Sequence, residues 1–168
     1  MRYTLYCLPM LMFLLGVTTT ANALEQKPVL SLSLAKKMAD ACEANQAQEG
    51  YRKINVAIVD SGANLILFRR QNDAFLGSID IAIAKARSSA RIPYPTRLIA
   101  EIVYGKDGQP GRVPGLVHSK DIVAFAGGLP IKTKDGTLLG AIGVSGATSD
   151  EDEVCAQAAI DAISAELE

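Results

Sequence analysis

The chain has 168 residues, enough for one domain with a substantial core. Its 17 basic and 18 acidic residues give a formal net charge of −1, and no clustered basic face indicates a nucleic-acid partner. The sequence contains no G-x-x-x-x-G-K-[ST], H-E-x-x-H, G-x-S-x-G or paired C-x-x-C motif, which excludes the most recognisable phosphate, zinc and serine-hydrolase sites.

The first 23 residues have the three parts of a secretory signal peptide. Arg2 precedes an apolar run at 8–17, and Ala21-Asn22-Ala23 fits a small-x-small cleavage site. The run is too short to span a membrane. The sequence therefore predicts cleavage after Ala23, a mature domain at 24–168, and a periplasmic or secreted protein with no membrane span after cleavage.

Apolar periodicity in the mature part predicts an α+β domain in which helices flank a five-stranded, mostly antiparallel sheet. A helix capped by Ser31 or Ser33 ends near Gln48, and Gly50 terminates it. Further helices are predicted at 78–91, 96–104 and from Ser149 to about Leu167. The predicted strands lie at 54–59, 65–70, 122–126, 129–133 and 137–145.

The last strand follows an Asp-Gly turn at 134–136 and leads into the final helix. One of its faces ends in the small residues Gly143 and Ser145, so a packed helix or a ligand approaches the backbone there. Ser149 is the predicted N-cap of the helix, with Asp152 completing a capping box. The acids at 150–153 favour capping over an anion site, because four carboxylates repel an anion.

Two cysteines remain after cleavage, Cys42 and Cys155, in the first and last predicted helices. An oxidising compartment permits a disulfide if the two helices lie side by side. Because disulfide geometry is demanding, the sequence favours two buried, reduced thiols.

Several polar and aromatic residues on loops and element ends are candidates for ligand binding. His118, the only histidine, lies in the glycine-rich segment 105–121 and is either a surface or structural residue, a haem-iron ligand or a general base. Six basic residues could pair with ligand carboxylates or belong to an ordinary solvated surface: Arg69, Arg70, Arg97, Lys106, Arg112 and Lys120. Three aromatic residues could stack on a flat ligand or pack in the core: Tyr94, Tyr104 and Phe125.

Short motifs follow one another through nearly the whole mature part of the chain. These are V-A-I-V-D at 56–60 with Gly62, Arg70, Asp73-Ala74, A-K-A at 84–86, Pro95-Thr96, G-G-L-P-I at 127–131, G-A-I-G-V-S-G at 140–146, and the acids at 150–153 before Cys155-Ala156. In the joint order and spacing of these motifs the chain resembles the GlcG/HbpS family of haem-binding proteins, which also includes the C-terminal domain of PduO-type proteins.

The resemblance implies a profilin- or PAS-like α/β sandwich, a homo-oligomer, and haem or another flat acidic molecule as ligand. Some relatives place a histidine in or near the first helix, whereas residues 31–49 contain none. An iron ligand would then be His118, a weaker group among Tyr94, Tyr104 and Met38, or absent. The cofactor-binding candidates are His118, Tyr94, Tyr104, Arg97, Arg112, Gly143 and Ser145.

Three hypotheses about function follow. The first is an exported haem- or tetrapyrrole-binding protein for haem or iron handling, storage or redox sensing. The second is an enzyme or accessory protein acting on a small organic acid or aldehyde, with His118 or Asp60 as acid or base and Arg70 or Lys85 supplying charge. The third is a non-catalytic oligomeric subunit in which the shared motifs serve only the fold.

Overall fold

A computed structural model describes residues 27–168, so the predicted signal peptide and its cleavage site lie outside the described part of the chain. The helices are α1 (Leu32–Glu49), α2 (Ser78–Arg91), α3 (Thr96–Tyr104) and α4 (Ser149–Asp161). The strands are β1 (Asn55–Asp60), β2 (Leu65–Arg70), β3 (Gly105–Lys106), β4 (Gln109–Pro110), β5 (Gly128–Lys132) and β6 (Leu138–Ser145). Short 3₁₀ helices lie at Pro114–His118 and Ser164–Leu167.

Four of these strands form an antiparallel sheet in the order β2-β1-β6-β5, and β3 and β4 form a separate small hairpin. The α+β fold is confirmed, but the prediction of five strands in one sheet is wrong. Residues 122–126 form no strand, because their backbone bonds to a helix side chain instead of a neighbouring strand. The hydroxyl of Ser88 in α2 accepts a 2.8 Å hydrogen bond from the amide of Val123.

Helices α1 and α4 lie on one face of the sheet and bury its larger side chains. The cluster includes Met38 from α1, Val56 from β1, Ile142 from β6 and Ala159 from α4, all fully buried. Alternation in β1 and at the end of β6 matches the two faces predicted from period two. This layer is the main hydrophobic core, and it holds α4 in a fixed position against the sheet.

Helix α2 covers the opposite face through small residues. Ala82 and Ala86 pack against Ala57 and Ala141 of the sheet. A Cβ at Gly143 would lie 2.2 Å from the carbonyl oxygen of Ala82, so glycine is needed for the helix to come this close. The close approach that the sequence left open to a helix or a ligand is therefore made by α2.

A disulfide joins Cys42 of α1 to Cys155 of α4, which makes the prediction of two reduced thiols wrong. The two helices lie side by side, and the Cα atoms of the cysteines are 4.7 Å apart, within the range that a disulfide spans. The sequence could not establish this, because the two residues are 113 positions apart. The bond links the first and last helices of the domain.

The N-terminus of α4 is capped by Thr148, one residue before the predicted cap Ser149. The hydroxyl of Thr148 accepts from the amide of Glu151, and the carboxylate of Glu151 accepts from the amide of Thr148 at 2.9 Å. Because Glu151 completes the capping box, Asp152 is not needed for that role. The side chain of Asp152 instead points into the protein.

Helix α1 begins after Ser31, whose hydroxyl accepts from the amide of Leu34, and it ends at Gly50 with a φ of 69°. Both ends agree with the sequence prediction. Between residues 27 and 168, no helix combines the length and hydrophobicity needed to cross a lipid bilayer.

Candidate functional site

The structure separates the candidate residues into two main regions. The first, here called the Lys85 pocket, is a cavity of about 320 Å³ between the N-termini of α2 and α4 and the end of β6. The second, here called the α3 trough, is an outward-facing groove along α3. Lys85 and Ser145 lie in the pocket, whereas Arg97 and Arg112 lie in the trough. The residues lining the Lys85 pocket are Phe75, Gly77, Ser78, Ile81, Lys85, Phe125, Ser145, Gly146, Ala147, Ser149 and Asp152.

Lys85 is the largest fully buried side chain among residues 27–168 and is only 1% exposed. Its Nζ donates to Oδ2 of Asp152 at 2.8 Å and to the carbonyl oxygen of Val144 at 2.9 Å. The same atom lies 4.9 Å from the centre of the Phe125 ring, a cation–π distance. The lysine therefore ties α2 to β6 and to α4 in the interior of the fold.

Space around this ion pair is limited by the backbone of Gly127. Its φ is 115°, and a Cβ at this position would lie 2.5 Å from Nζ of Lys85. The glycine pair at 127–128 thus lets the chain enter β5 directly beside the lysine. The sequence identified the pair only as part of the G-G-L-P-I motif, because Lys85 lies far away in the chain.

Burial shifts the pKa values of both Lys85 and Asp152. Desolvation lowers the pKa of Lys85 below its ordinary value, against the opposing effect of Asp152. Desolvation raises the pKa of Asp152, against the opposing effects of Lys85 and of amide donors. The amide of Ala147 donates to Oδ1 of Asp152 at 3.1 Å. Each group thus keeps an opposite charge and further hydrogen bonds, which offset part of the cost of its burial.

Ser145 ends β6 beside this pair, and its side chain is not used by the fold. The residue is 5% exposed and lines the pocket, and its hydroxyl has no hydrogen-bond partner among residues 27–168. Asn55, its partner across β1 and β6, is fully buried. Nδ2 of Asn55 donates to the hydroxyl of Ser78 at 2.7 Å, but Oδ1 accepts no hydrogen bond within the described residues.

The α3 trough consists of two connected cavities of about 610 and 250 Å³ that share Leu98 and Glu101. Helix α4 forms the far wall of the larger cavity, and the β3–β4 hairpin closes the smaller one. Leu98 and Val154 expose apolar surface there. The residues lining the trough are Pro95, Arg97, Leu98, Glu101, Ile102, Gly105, Lys106, Gln109, Pro110, Arg112, Leu129, Asp150, Glu153, Val154 and Gln157.

The basic residues of the trough differ in how strongly they are already paired. Arg97 donates to Glu153 at 2.8 Å and to Asp150, and these ion pairs raise its pKa. Lys106 donates to Glu101 at 2.7 Å. Arg112 is exposed and makes no ion pair or hydrogen bond with another side chain in the described part of the chain. Arg112 is thus the trough cation that a ligand carboxylate could pair with at the least cost.

Phe125 lines the Lys85 pocket, and none of the other aromatic and iron-ligand candidates lines the two trough cavities. Tyr94 and Tyr104 are exposed at the two ends of α3, and Tyr104 lines a further cavity against the β3–β4 hairpin. His118 is exposed at the end of the 3₁₀ helix that packs on α3, and it lines neither the Lys85 pocket nor the two trough cavities. Met38 is fully buried between α1 and the sheet, which removes it as an iron ligand.

Two catalytic candidates lie at opposite ends of the sheet. Asp60 ends β1, where its carboxylate accepts hydrogen bonds from the amides of Gly62 and Asn64, each at 2.8 Å. Burial alone would raise the pKa of Asp60, but these bonds lower it below the ordinary value. Arg70 ends β2 across from Asn55, on the same side as the Lys85 pocket. Asp60 therefore serves the turn, and the fold does not bring it near Lys85.

The other basic candidates are engaged elsewhere. Arg69 bridges Asp40 and Glu43 of α1, at 2.9 Å from the latter. Lys120 is exposed beside the 3₁₀ helix, and its carbonyl oxygen accepts from Arg91 at 3.2 Å. Residues 27–168 contain no group of three or more side chains arranged to hold a metal ion.

Sequence reasoning missed the pairing of Lys85 with Asp152 and the role of Phe75 in the pocket. A capping analysis that tested Thr148 as well as Ser149 would have left Asp152 without a local role. A lysine on the apolar face of a predicted helix also indicates a buried partner. Neither signal identifies the partner, because Lys85 and Asp152 are 67 positions apart.

Comparisons with known proteins support one family. The model of the family described as "Haem degrading protein HbpS-like" matches residues 30–161. A curated relative is the uncharacterized 15.0 kDa protein of the dhaT-dhaS intergenic region of Citrobacter freundii, which is 38% identical over 146 residues, covering 85% of this chain and 98% of that protein.

Two solved structures extend the likeness to the fold. A double mutant of Streptomyces reticuli HbpS is 31% identical, with 87% of this chain and 94% of that chain covered and a TM-score of 0.74. The PduOC:heme complex is 27% identical, with 81% and 96% covered and a TM-score of 0.71. The family resemblance noted in the sequence is therefore confirmed.

Proposed function

The chain belongs to the HbpS-like haem-degrading protein family, and from this membership we propose that it is a haem-binding protein. The observation that carries the proposal is the likeness of the whole domain to a relative solved as a haem complex, at 27% identity and a TM-score of 0.71. Haem bound here would supply a redox-active iron, which suits haem or iron handling or redox sensing.

The α3 trough is the proposed haem surface. A porphyrin needs apolar walls, and its propionates need cations. The walls are supplied by Leu98 and Val154, and the larger cavity alone measures about 610 Å³. Arg112 is the cation for a propionate, since it has no competing carboxylate in residues 27–168, whereas Arg97 is already held by two acids. The residues of the trough thus fit the porphyrin body and its carboxylates.

The proposed iron ligand is His118, with Tyr104 as the alternative. No residue that lines the two trough cavities is a histidine, cysteine or methionine. The exposed imidazole of His118 lies on the 3₁₀ helix packed against α3, and the exposed phenol of Tyr104 lies at the end of α3. Imidazole and tyrosinate are both established haem ligands.

Haem titration with absorbance spectroscopy tests this function. A saturable, stoichiometric change in the Soret region is expected for the mature protein. His118→Ala should shift the Soret band and weaken haem binding. Tyr104→Phe should change the spectrum only if Tyr104, the alternative ligand, binds the iron. A weak, linear response without saturation would contradict haem binding, and an unchanged spectrum for His118→Ala would exclude that residue as the ligand.

We also propose that the protein is exported and cleaved after Ala23. The signal-peptide pattern of residues 1–23 motivates this, and the disulfide between Cys42 and Cys155 supports it, because such bonds persist mainly in oxidising compartments. After expression in a bacterium, the protein should be recovered from the periplasm, and its mass should be that of a chain whose first residue is Leu24. Recovery in the cytoplasm with Met1 retained would contradict export.

A homo-oligomer is the proposed assembly. Exposed apolar side chains lie on several surfaces of the domain, among them Val29, Leu32 and Leu76, which are 80%, 50% and 72% exposed. The family resemblance, which implies a homo-oligomer, motivates this proposal, and another copy of the chain could cover some of these side chains. Light scattering coupled to size-exclusion chromatography should give a multiple of the monomer mass, and a monomer at every concentration would contradict this assembly.

A further inference from the structure

We propose that the Lys85 pocket is a second binding site, separate from the α3 trough, for a small flat molecule that carries a carbonyl-type oxygen, such as an amide or a carboxylate. The pocket measures about 320 Å³, within the lower range of small-molecule sites. Its polar groups and its walls specify this ligand chemistry, as the contacts below show.

The pocket contains hydrogen-bond donors that the fold does not use. An ammonium group has three N–H bonds, and Lys85 uses two of them, toward Val144 and Asp152. The hydroxyl of Ser145 has no partner among residues 27–168, although the residue is 95% buried, its exposure being 5%. A hydroxyl and the third ammonium N–H can each donate a hydrogen bond, so these groups fit a ligand acceptor oxygen.

Ser145 distinguishes a ligand site from a purely structural ion pair. The pair between Lys85 and Asp152 is completed by the carbonyl of Val144 and the amide of Ala147, without Ser145. An alanine at 145 would serve the sheet as well as serine. The Ser145 hydroxyl, which lines the pocket, is therefore free to serve a ligand.

The acids in the first turn of α4 do not repel such a ligand as strongly as the sequence suggests. Asp150 and Glu153 are paired with Arg97 on the outer side of the helix. Glu151 accepts from the amide of Thr148, and Asp152 is neutralised by Lys85. Because each carboxylate already has a partner, a neutral carbonyl or a single carboxylate can reach the pocket donors.

The walls of the pocket fit a flat apolar body. Phe75 and Phe125 both line it and are 56% and 40% exposed, so each ring keeps accessible surface beside its contact with Arg52 or Lys85. Aromatic side chains pair with other flat groups through offset or edge-to-face contacts. Ile81 adds a further apolar side chain from α2. A ring or conjugated system between these side chains would direct its oxygen toward Ser145 and Lys85.

The test is a titration of the ¹⁵N-labelled protein with benzamide, benzoate and toluene, followed by amide chemical shifts. Benzamide and benzoate share the acceptor oxygen and differ in charge, whereas toluene keeps the ring without the oxygen. We expect saturable shifts at residues 75–78 and 145–149 with at least one oxygen-bearing probe, and at least about tenfold weaker binding of toluene.

Variants keep the test specific without unfolding the protein. Lys85 is left in place because its loss endangers the fold, and Ser145→Ala and Phe125→Ala remove one donor and one wall. Each should weaken the oxygen-bearing probe about tenfold, while Leu65→Ala, at an exposed site remote from the pocket, should not. The proposal would be overturned if toluene bound as tightly as the oxygen-bearing probes, or if neither of those probes gave saturable shifts. It would also be overturned if Ser145→Ala bound the oxygen-bearing probe as tightly as the wild-type protein.

Discussion

The Lys85 pocket and the α3 trough handle charge in opposite ways. In the pocket one lysine and one aspartate are 1% and 3% exposed at the side chain and hold each other in the interior. In the trough Arg97 pairs with Asp150 and Glu153 at the surface, where its side chain is 47% exposed. Buried pairs are costly to break, whereas exposed pairs contribute little. The pocket is thus built into the fold, and the trough is open to a ligand.

Helix α4 contributes to both regions from its two sides. Asp152 faces inward to Lys85, whereas Asp150, Glu153 and Val154 face the trough. The disulfide at Cys155 fixes this helix to α1. The difference between the two regions can therefore be tested by substitutions on the pocket side of α4, on its trough side, or at the disulfide that holds it to α1.

The largest effect is expected from Lys85→Met. Asp152 would lose its countercharge while still buried, and the free energy of unfolding should fall by about 3–5 kcal/mol, measured by urea denaturation. Arg97→Gln is the matched control, because it removes exposed ion pairs and should cost less than about 1 kcal/mol. Similar losses for the two variants would contradict the difference drawn between the regions.

The next largest effect is expected from loss of the disulfide. The double variant Cys42→Ala/Cys155→Ala should lower the free energy of unfolding by about 2–5 kcal/mol, since the bond closes a long loop and restricts the unfolded chain. A reducing agent should lower the stability of the wild-type protein by a similar amount and leave the double variant unchanged. Insensitivity of the wild-type protein to reduction would show that the bond does not fix α4.

Leu98→Asp tests the trough alone. A carboxylate on its apolar wall should weaken haem binding at least about tenfold, or about 1.4 kcal/mol, through lost apolar contact and repulsion of propionates. Leu65→Asp places the same charge at a similarly exposed leucine outside both regions and should leave haem binding intact. Equal weakening by both variants in a haem titration would place the haem elsewhere.

The smallest effect is expected at Asp60, outside both regions. Because its pKa is lowered in the folded state, its ionised form stabilises the fold above the unfolded pKa, and this contribution is lost as the pH falls through the lowered folded value. Asp60→Asn should cost about 1 kcal/mol at pH 7 through weaker turn hydrogen bonds. That difference from wild type should shrink in acid, as followed by unfolding at several pH values, and a pH-independent difference would contradict the assignment.

Local patterns predicted most elements of the fold. The Asp-Gly turn, the two faces at the end of β6 and the Gly50 terminus of α1 follow from residues that are neighbours in the chain. The failures depend on distant partners. Residues 122–126 have strand-like composition, but Ser88 of α2 binds the backbone of Val123. The disulfide likewise depends on the side-by-side placement of α1 and α4, which no local pattern contains.

The candidate sites were predictable only in part for the same reason. The motif around Lys85 and the small residues at the end of β6 could be recognised singly, but their meeting with Asp152 and Phe125 requires the folded sheet. Arg97 and Arg112 were selected as cations, yet only the structure shows that Arg97 is already paired. Residue type thus identifies candidates, and the three-dimensional pairing decides which of them remain available.

The measurement that most directly tests the separation of the two regions is an amide NMR spectrum of the ¹⁵N-labelled protein with ferric haem. The paramagnetic iron broadens signals of nearby amides, so haem in the α3 trough should remove signals from residues 95–112 and 150–157 first. Signals from 75–85 and 144–147 around the Lys85 pocket should persist. Preferential loss of the pocket signals, with those of α3 retained, would contradict the assignment of haem to the trough.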